Sequence, residues 1–488
     1  MATKQEFVPN PGQQEALDSF KAFLKSNTSQ VFILTGYAGT GKTTILTQFI
    51  KLANRSSMRP VLLASTGRAA KVMTAATGAS ASTVHSLLYK FVGLNKDLDK
   101  YENQPIADET GQLLLNFSMN DFPTLDDDDE QDTRPRCYIV DEASMVGDTP
   151  QENPTQAVYG SGRLLSDLLR FDPMGKYVFV GDDAQLPPVA AEAISPALSA
   201  DYIASNFGMH VKTASLTQVM RQDDDNDIVE SATRVREMVD RTFVNDWIKF
   251  PLRGYRDITI HNSIDDMIEA YVDDLRENGY GHAVMISDSN TKCRRYAQQI
   301  RPKLGFHGSI VAEGDLLLVT QNNLISRLMN GDLVKVVKIG SRERRATLTF
   351  VNVEVESTTS GEVFSQLLIE DIIYGGHVNL TSSQLRELLM DFHARMKKQG
   401  IKQKSKAYND NMRTDDYLNA LRCVYGYVIT CHKSQGGEWP QVYLDIPRKL
   451  SRRTQSEGFR WLYTAMTRAI DELHIVDDFY VAQNPFNF

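Results

Sequence analysis

Short apolar, β-branched runs alternate with amphipathic stretches through the first half of the chain. Val31 to Leu34 precedes Thr43 to Ala53, Val61 to Ala64 precedes Gly67 to Ala76, and Cys137 to Val140 and Tyr177 to Val180 add two further runs. Apolar runs of about four to eight residues, each followed by a helical pattern, are what strands buried on both faces and their crossover helices require. The alternation therefore predicts βα units on a parallel sheet. A second set begins at His282 to Ser287, with Asn290 to Ile300 behind it, and continues at Val428 to Thr430, Val442 to Ile446 and Leu473 to Val476. The predicted fold class is α/β, in two lobes.

Two insertions interrupt this rhythm. Residues 89–136 hold a candidate hairpin, Gln104 to Ala107 and Leu113 to Phe117 around Asp108-Glu109-Thr110-Gly111, followed by an acidic run that reads as a solvated loop. Residues 336–421 begin with alternating strands, Leu333 to Ile339, Ala346 to Val355 and Val363 to Ile369, as in a small barrel. They end in a polar helical stretch in which Arg395, Lys397, Lys398, Lys402, Lys404 and Lys406 follow one another with no acid between them. That run reads either as a solvated face or as an arm that contacts phosphates.

The length of 488 residues asks for about three domains. The net charge of −9 speaks mildly against a nucleic-acid partner, but its distribution changes that reading. Seven of the 62 acids fall between Asp121 and Asp132 without a Lys or Arg, which leaves the remainder nearly neutral and open to local basic patches. The four cysteines, Cys137, Cys293, Cys423 and Cys431, form no C-x-x-C pair and no zinc spacing, so a reducing compartment fits. Met1 to Gln14 contains no apolar leader core, and no run of about 18 apolar residues occurs. A cytoplasmic protein is expected.

Gly36-Tyr37-Ala38-Gly39-Thr40-Gly41-Lys42-Thr43-Thr44 satisfies G-x-x-x-x-G-K-[ST] between a predicted strand and a predicted helix. Glycines let the backbone curl so that successive N–H groups and the helix start surround phosphates, while Lys42 neutralises oxygens and Thr43 reaches Mg²⁺. Cys137 to Val140 runs into Asp141 and Glu142, placing one acid to bind Mg²⁺ through water and a second to polarise an attacking water. A kinase would need no such hydrolytic Glu, so ATP hydrolysis is favoured. Tyr177 to Val180 leads into Gly181-Asp182-Asp183-Ala184-Gln185, where an amide can sense a γ-phosphate, although a Gln before Pro187-Pro188 is by itself weak evidence.

These motifs, with Leu216 to Gln222, Thr430-Cys431-His432-Lys433-Ser434-Gln435-Gly436 and Leu462 to Ala469, resemble in order the motif series of superfamily 1B DNA helicases, in the RecD-like and phage Dda-like branch. The resemblance spans nearly the whole chain. It implies two RecA-like P-loop NTPase lobes, 1–88 with 137–222 and 223–335 with 422–488. It further implies a first insertion at 89–136, where the family carries a strand-separating pin, and an SH3-like β-barrel insertion at 336–421. ATP would bind between the lobes and single-stranded DNA across their top; the second lobe has no Gly-Lys loop near Ser287 to Thr291, so one nucleotide site is shared. Arg221 and Arg468 correspond to arginines that reach the γ-phosphate. Gly437 and Glu438 correspond to a cross-cleft nucleotide contact, and Gln13 to a residue that reads adenine, with Gln14 leaving that register open. Thr464 and Arg468, four apart in a predicted helix from Trp461 to Ile470, would share the face that looks into the cleft.

By the same resemblance Thr66, Gly67, Arg68, Thr83 and His85 in the first lobe, and Thr430, His432 and Ser434 in the second, hold the DNA backbone without reading bases. The implied activity is an ATP-driven helicase, monomeric as a motor, moving 5′ to 3′ on single strands and at single/double-strand junctions. An RNA-directed motor and a nucleotide-gated DNA-binding subunit of a recombination complex remain as alternatives. The complete set Lys42, Glu142, Gln185, Arg221 and Arg468 speaks against the last.

Overall fold

The computed structural model describes residues 7–95, 97–98, 115–120, 132–150, 157–188, 195–218, 227–239, 249–308, 310–448, 450 and 455–483. Six parallel strands form the first sheet, in the order Ala81–Thr83, Arg59–Ala64, Arg136–Asp141, Lys176–Gly181, Ser29–Gly36 and His210–Leu216. Along Ser29–Gly36 the two-residue period divides the apolar side chains. Phe32 and Leu34 pack with Phe20, Phe23 and Phe49 of the flanking helices Pro11–Lys25 and Lys42–Arg55, while Val31 and Ile33 pack on the other face with Tyr138, Tyr177 and Leu165. The stack of Phe20 on Phe49, 3.9 Å between centroids, pins both helices over the strand; each fully buried aromatic of this kind contributes about 1.5–3 kcal/mol.

The second sheet, also parallel, runs in the order Ile258–His261, Ala469–Val476, Trp439–Leu444, Ala283–Ser287 and Val428–Thr430. Two parallel sheets with helices on their faces are the two RecA-like lobes of the α/β class expected. The helix near the end of the chain is shorter than its apolar pattern predicts. It spans Gln455–Met466, Thr467 and Arg468 form a turn, and the strand Ala469–Val476 begins at once. Strand and helix cannot both claim Ala469, and pairing of Trp439 with Ala469 takes it for the sheet.

Both insertions differ from their predicted outlines. The described part of the first is a sheet in which Tyr89–Leu94 pairs antiparallel with Leu115–Met119, and Ala157–Tyr159 pairs parallel with the latter. Gln104 to Ala107 and the acidic run through Gln131 lie outside the described residues. In the second insertion a five-stranded antiparallel sheet, ordered Val363–Ile369, Leu348–Ser357, Leu333–Arg345, Leu316–Val319 and Cys423–Tyr425, takes strands from beyond 336–421 at both ends. The first of these strands runs past its predicted end at Ile339 to Arg345, with Gly340 inside it against Asn352, where the register shifts between Ile339 and Arg342; a strand glycine marks a bulge.

The basic run is not one helical arm. Arg395 lies in the helix Ser382–Lys398 and pairs with Asp391 and Asp415, so that charge is already neutralised. Lys402 and Lys404 belong to an exposed turn, and Lys406 opens the helix Lys406–Thr414. That helix docks on the first insertion, with Asn409 and Arg413 donating to the carbonyls of Val92 and Phe91.

Candidate nucleotide and nucleic-acid site

All the strand ends that carry the predicted chemistry in the first lobe lie on one carboxyl edge of its sheet, the edge where open α/β sheets bind ligands. Gly39 and Gly41 have φ of +74° and +79°, a left-handed backbone that glycine adopts without a Cβ penalty, and this turns the loop onto the helix Lys42–Arg55. Gly36 is tight as well: a Cβ there would lie 2.9 Å from Thr40 Oγ1. Gly41 caps the helix without a side-chain bond, so the first-turn amides are left for an anion. Lys42 Nζ is folded onto the loop, donating to the Gly36 and Tyr37 carbonyls at 2.9 Å each. Thr43 and Thr44 are exposed beside it.

Gln13, 2% exposed, closes a capping box with Asn10 and donates through Nε2 to the Thr40 carbonyl at 3.2 Å. Gln14 instead pairs with Asp18 in solvent. The side chain against the P-loop is therefore that of Gln13.

Asp141 ends its strand beside the strand Lys176–Gly181, which itself adjoins the P-loop strand. Burial first, and then the charge of Glu142, push the Asp141 carboxyl up to about 7 against the pull of the Glu142 amide and Lys42. Glu142 has φ +50° and ψ +40°, a left-handed conformation that an ordinary side chain adopts only under constraint, and its amide donates to Asp141 Oδ1 at 2.9 Å. Gln185 is 5% exposed, and its Oε1, like Ser144 Oγ, has no hydrogen-bond partner among the described residues. Buried polar atoms without partners are uncommon, and these two stand on the loops that follow two adjoining strands. A polyphosphate over the helix start, with a cation held by Thr43 and Asp141, suits this donor and acceptor set.

The second lobe plugs into the first through the helix Gln455–Met466. Tyr463, 1% exposed, donates its hydroxyl to Asp182 Oδ2 at 2.5 Å and accepts from the Ala38 amide of the P-loop at 3.0 Å. Thr464 Oγ1 accepts from the Leu186 amide at 2.9 Å, and Gln435 Nε2 donates to the Leu186 carbonyl at 3.3 Å. Arg236 stacks 3.9 Å over the Tyr37 ring and pairs with Asp182 and Asp183. Neither Tyr463, Asp182 nor Arg236 was singled out from sequence. A tyrosine or an arginine on a helix carries no signal until the helix is seen to cross a cleft.

Arg468 is 5% exposed and, coming after the helix end, does not share a helical face with Thr464. It turns back, with Nε donating to the Thr464 carbonyl at 3.0 Å, Nη2 to Thr467 Oγ1 at 3.0 Å and Nη1 to the Gly437 carbonyl at 3.4 Å. Across Gly437 lies Arg68, stacked 4.3 Å from the Trp439 ring centre; a Cβ on Gly437 would stand 2.6 Å from its guanidinium carbon. Burial lowers the Arg68 pKa to about 10, and Arg468 adds to that fall. Arg68 thus belongs to the inter-lobe contact rather than to an open strand surface. Glu438 is exposed, and Arg221 lies outside the described residues.

Several residues expected to hold a nucleic acid spend their polar atoms locally. Thr66 caps the helix Gly67–Thr77 and Thr83 caps Val84–Leu88, each accepting from a backbone amide. Thr83 is 5% exposed and Ser434 wholly buried, its hydroxyl on the Cys431 carbonyl, so neither offers a free hydroxyl. Gly67 is covered by the Met329 side chain, and the neighbouring Lys71 pairs with Asp332 at 2.6 Å. His85 packs against Tyr89 and Tyr159, and burial lowers its pKa. Thr430 and His432 are half-buried at the carboxyl edge of the second sheet. Among the described residues no helix is long and apolar enough to cross a membrane, and no His, Cys, Asp and Glu cluster suited to a metal ion occurs.

Residues 9–241 match the family model described as an AAA domain, and 425–476 match that of the UvrD-like helicase C-terminal domain. The chain is 31% identical over 457 residues to the ATP-dependent RecD2 DNA helicase of Deinococcus radiodurans. That match covers 91% of this chain but 46% of the relative, so the chain spans about half the relative's length. An uncharacterised protein of Acanthamoeba polyphaga mimivirus is 23% identical over 532 residues, covering 95% and 99% of the two chains. A structure of Pif1 helicases at forked double-stranded DNA shares the fold at 15% identity, with a TM-score of 0.50 and coverage of 97% and 93%. With its P-loop, its paired strand-end acids and its shared inter-lobe cleft, the chain joins an AAA domain to a UvrD-like helicase C-terminal domain and is similar over 91% of its length to a RecD2-type DNA helicase, in keeping with the resemblance of its motifs.

Proposed function

We propose that the protein is an ATP-dependent DNA helicase that moves 5′ to 3′ along single-stranded DNA, acts as a monomer at single/double-strand junctions, and works in the cytoplasm. The observation that carries this reading is the Tyr463 hydroxyl, which ties the P-loop amide of Ala38 and the strand-end Asp182 to the second lobe. A loop that grips phosphates and the packing of the two lobes then share one hydrogen bond, so nucleotide state and lobe position are coupled. The resemblance of the motif series supports the direction of travel, and the likeness to a RecD2 DNA helicase supports the choice of DNA.

In this reading ATP is the substrate. Gly36, Ala38, Gly39, Thr40 and Gly41 present backbone amides to its phosphates, Thr44 stands beside them at the helix start, and Gln13 is the adenine-side residue. Lys42 leaves the Gly36 and Tyr37 carbonyls for phosphate oxygens. Thr43 and Asp141 would hold Mg²⁺, which when bound would supply charge neutralisation to the phosphates. Glu142 accepts the proton of the attacking water, Gln185 orients that water, and Arg468 and Arg221 stabilise charge on the transferred phosphoryl group, an effect worth about 10³ to 10⁵ in rate for such arginines. Gly437 and Glu438 stand on the far side of the cleft. Thr66, Gly67, Thr83 and His85 with Thr430, His432 and Ser434 form the segments that grip the strand, those with committed side chains acting through backbone and position, while Arg68 holds the two lobes together beside them.

Unwinding of 5′-tailed against 3′-tailed duplexes by the purified protein with ATP and Mg²⁺ tests this directly, together with ATPase stimulation by single-stranded DNA against RNA. Selective opening of the 5′-tailed duplex and stimulation by DNA are expected. Equal stimulation by RNA, or no unwinding of either duplex despite DNA-stimulated hydrolysis, refutes the reading.

A further inference from the structure

The helix Asp227–Glu237 of the second lobe buries Ile228, Ala232 and Val235, at i, i+4 and i+7, in that lobe's core. Arg236 stands at the edge of the same face. There the helix leans on the first lobe, where Ile228, Ala232 and Thr233 line a small cavity against Tyr37, Ala38 and Gly39 of the P-loop. A long basic side chain at that edge reaches across the cleft.

The Arg236 side chain is 11% exposed. Its guanidinium lies 3.9 Å over the Tyr37 ring, faces Asp182 Oδ1 at 3.5 Å and donates to Asp183 Oδ1. Burial pulls its pKa down, but Asp182 and Asp183 outweigh that and hold it above the ordinary value, so it stays charged. Its Nε is buried without a partner among the described residues, so the two carboxylates and the ring are what fix it.

Asp182 is the group that calls for a cation. It is wholly buried, and its other bonds come from neutral donors, the Ala184 amide at 3.0 Å and the Tyr463 hydroxyl at 2.5 Å. A carboxylate taken out of water needs its charge balanced, and among the described residues Arg236 is the cation paired with it. The Tyr463 hydroxyl also accepts from the Ala38 amide, so a single hydroxyl separates this carboxylate from an amide that phosphates use. An unbalanced negative charge that close would repel a triphosphate. Tyr37 is held from the other end as well, its carbonyl accepting from Lys42 Nζ at 2.9 Å and from Thr40 Oγ1 at 2.8 Å.

We propose that Arg236 is a positioning residue for ATP: it cancels the charge of Asp182 beside the phosphate site and pins Tyr37, so that the P-loop reaches its full affinity for a triphosphate with the second lobe docked. The inference rests on the ATP reading above and deepens it, giving a second-lobe side chain a share in nucleotide affinity. Arg236 acts here through Asp182 and Tyr37, not by touching a phosphate.

The test pairs a charge removal with its reversal. Arg236→Met in the full chain should weaken binding of a fluorescent non-hydrolysable ATP analogue, with Mg²⁺ and without DNA, by about tenfold or more. The KM for ATP should rise by a like factor while kcat stays within about threefold, as expected when binding common to ground and transition states is lost. Adding Asp182→Asn should restore the affinity to within about threefold of wild type, because the charge that Arg236 balanced is then gone; a misfolded variant would not recover. Arg236→Lys, which keeps the charge and gives up the planar stack, should lie between wild type and Arg236→Met. Wild-type affinity in Arg236→Met, a loss that Asp182→Asn leaves in place, or an Arg236→Lys protein as weak as Arg236→Met overturns the role of Arg236 and leaves the ATP reading standing. Wild-type protein that neither binds nor hydrolyses ATP refutes that reading itself.

Discussion

Tyr463→Phe removes a single oxygen from the inter-lobe contact and leaves the ring in its buried place. That oxygen has two roles: it donates to Asp182, a wholly buried carboxylate, and it accepts from the Ala38 amide. A hydrogen bond to a charged group contributes about 1.5–3 kcal/mol and a neutral one about 0.5–1.5 kcal/mol. After the change Asp182 keeps the Ala184 amide at 3.0 Å and Arg236 at 3.5 Å, but Oδ2 loses its short donor. The ligand-free contact should therefore weaken by about 2–4 kcal/mol, which mass-spectrometric hydrogen exchange reads as faster exchange of the 36–44 backbone by about 30-fold or more. The Ala38 amide is also one that a phosphate uses, so the phenol competes with nucleotide for it. Without DNA, a fluorescent non-hydrolysable ATP analogue should bind the variant about 2- to 12-fold more tightly, the worth of one neutral hydrogen bond. Unchanged exchange, or nucleotide affinity that falls threefold, would refute the idea that Tyr463 couples lobe packing to the P-loop.

Other consequences follow from particular residues. Glu142→Gln and Glu142→Gly should both bind nucleotide and both stop hydrolysis, but the glycine variant should be about 1 kcal/mol the more stable because it relaxes the left-handed backbone at φ +50°; denaturation midpoints compare them, and equal midpoints would remove the claim of strain. Asp332→Asn releases Lys71, whose side chain is 42% exposed, so single-strand affinity at low salt should rise no more than about fivefold, the scale of an exposed pair; a loss of affinity would show that Asp332 positions the strand surface instead. His474, stacked on Tyr443 and bonded to His261 at 3.1 Å, is held neutral by burial, its pKa below the ordinary value of about 6.5. The unfolded chain then takes up the proton first, so this stability is present above about pH 6.5 and is lost as pH falls. Hydrogen exchange in the second-lobe strands should speed up by about 1–3 kcal/mol in equivalent free energy between pH 7 and 5, and His474→Phe should flatten that dependence.

Much of the architecture is local in origin. A strand buried on both faces must be apolar without interruption, as at Val31 to Leu34 and Tyr177 to Val180, and a P-loop must place Gly39 and Gly41 where the backbone turns left-handed, so both are written in consecutive residues. The choice between Gln13 and Gln14 was open in sequence because both precede the same helix. Only the fold presents Gln13 to Thr40 and sends Gln14 to Asp18. The run around Arg395 looked uniformly basic because its acids, Asp391 and Asp415, lie outside it in sequence and beside it in space. The end of the last helix was misplaced for a related reason: the apolar pattern continues through Ala469 and Ile470, but there it belongs to a strand whose partner, Trp439, is distant in sequence. Periodicity and a contiguous motif, which report on neighbours along the chain, were enough for the α/β class, the two lobes and the phosphate loop. The hydroxyl of Tyr463 between Ala38 and Asp182 and the Arg68 and Trp439 stack are meetings of residues from separate elements, and those only tertiary packing decides.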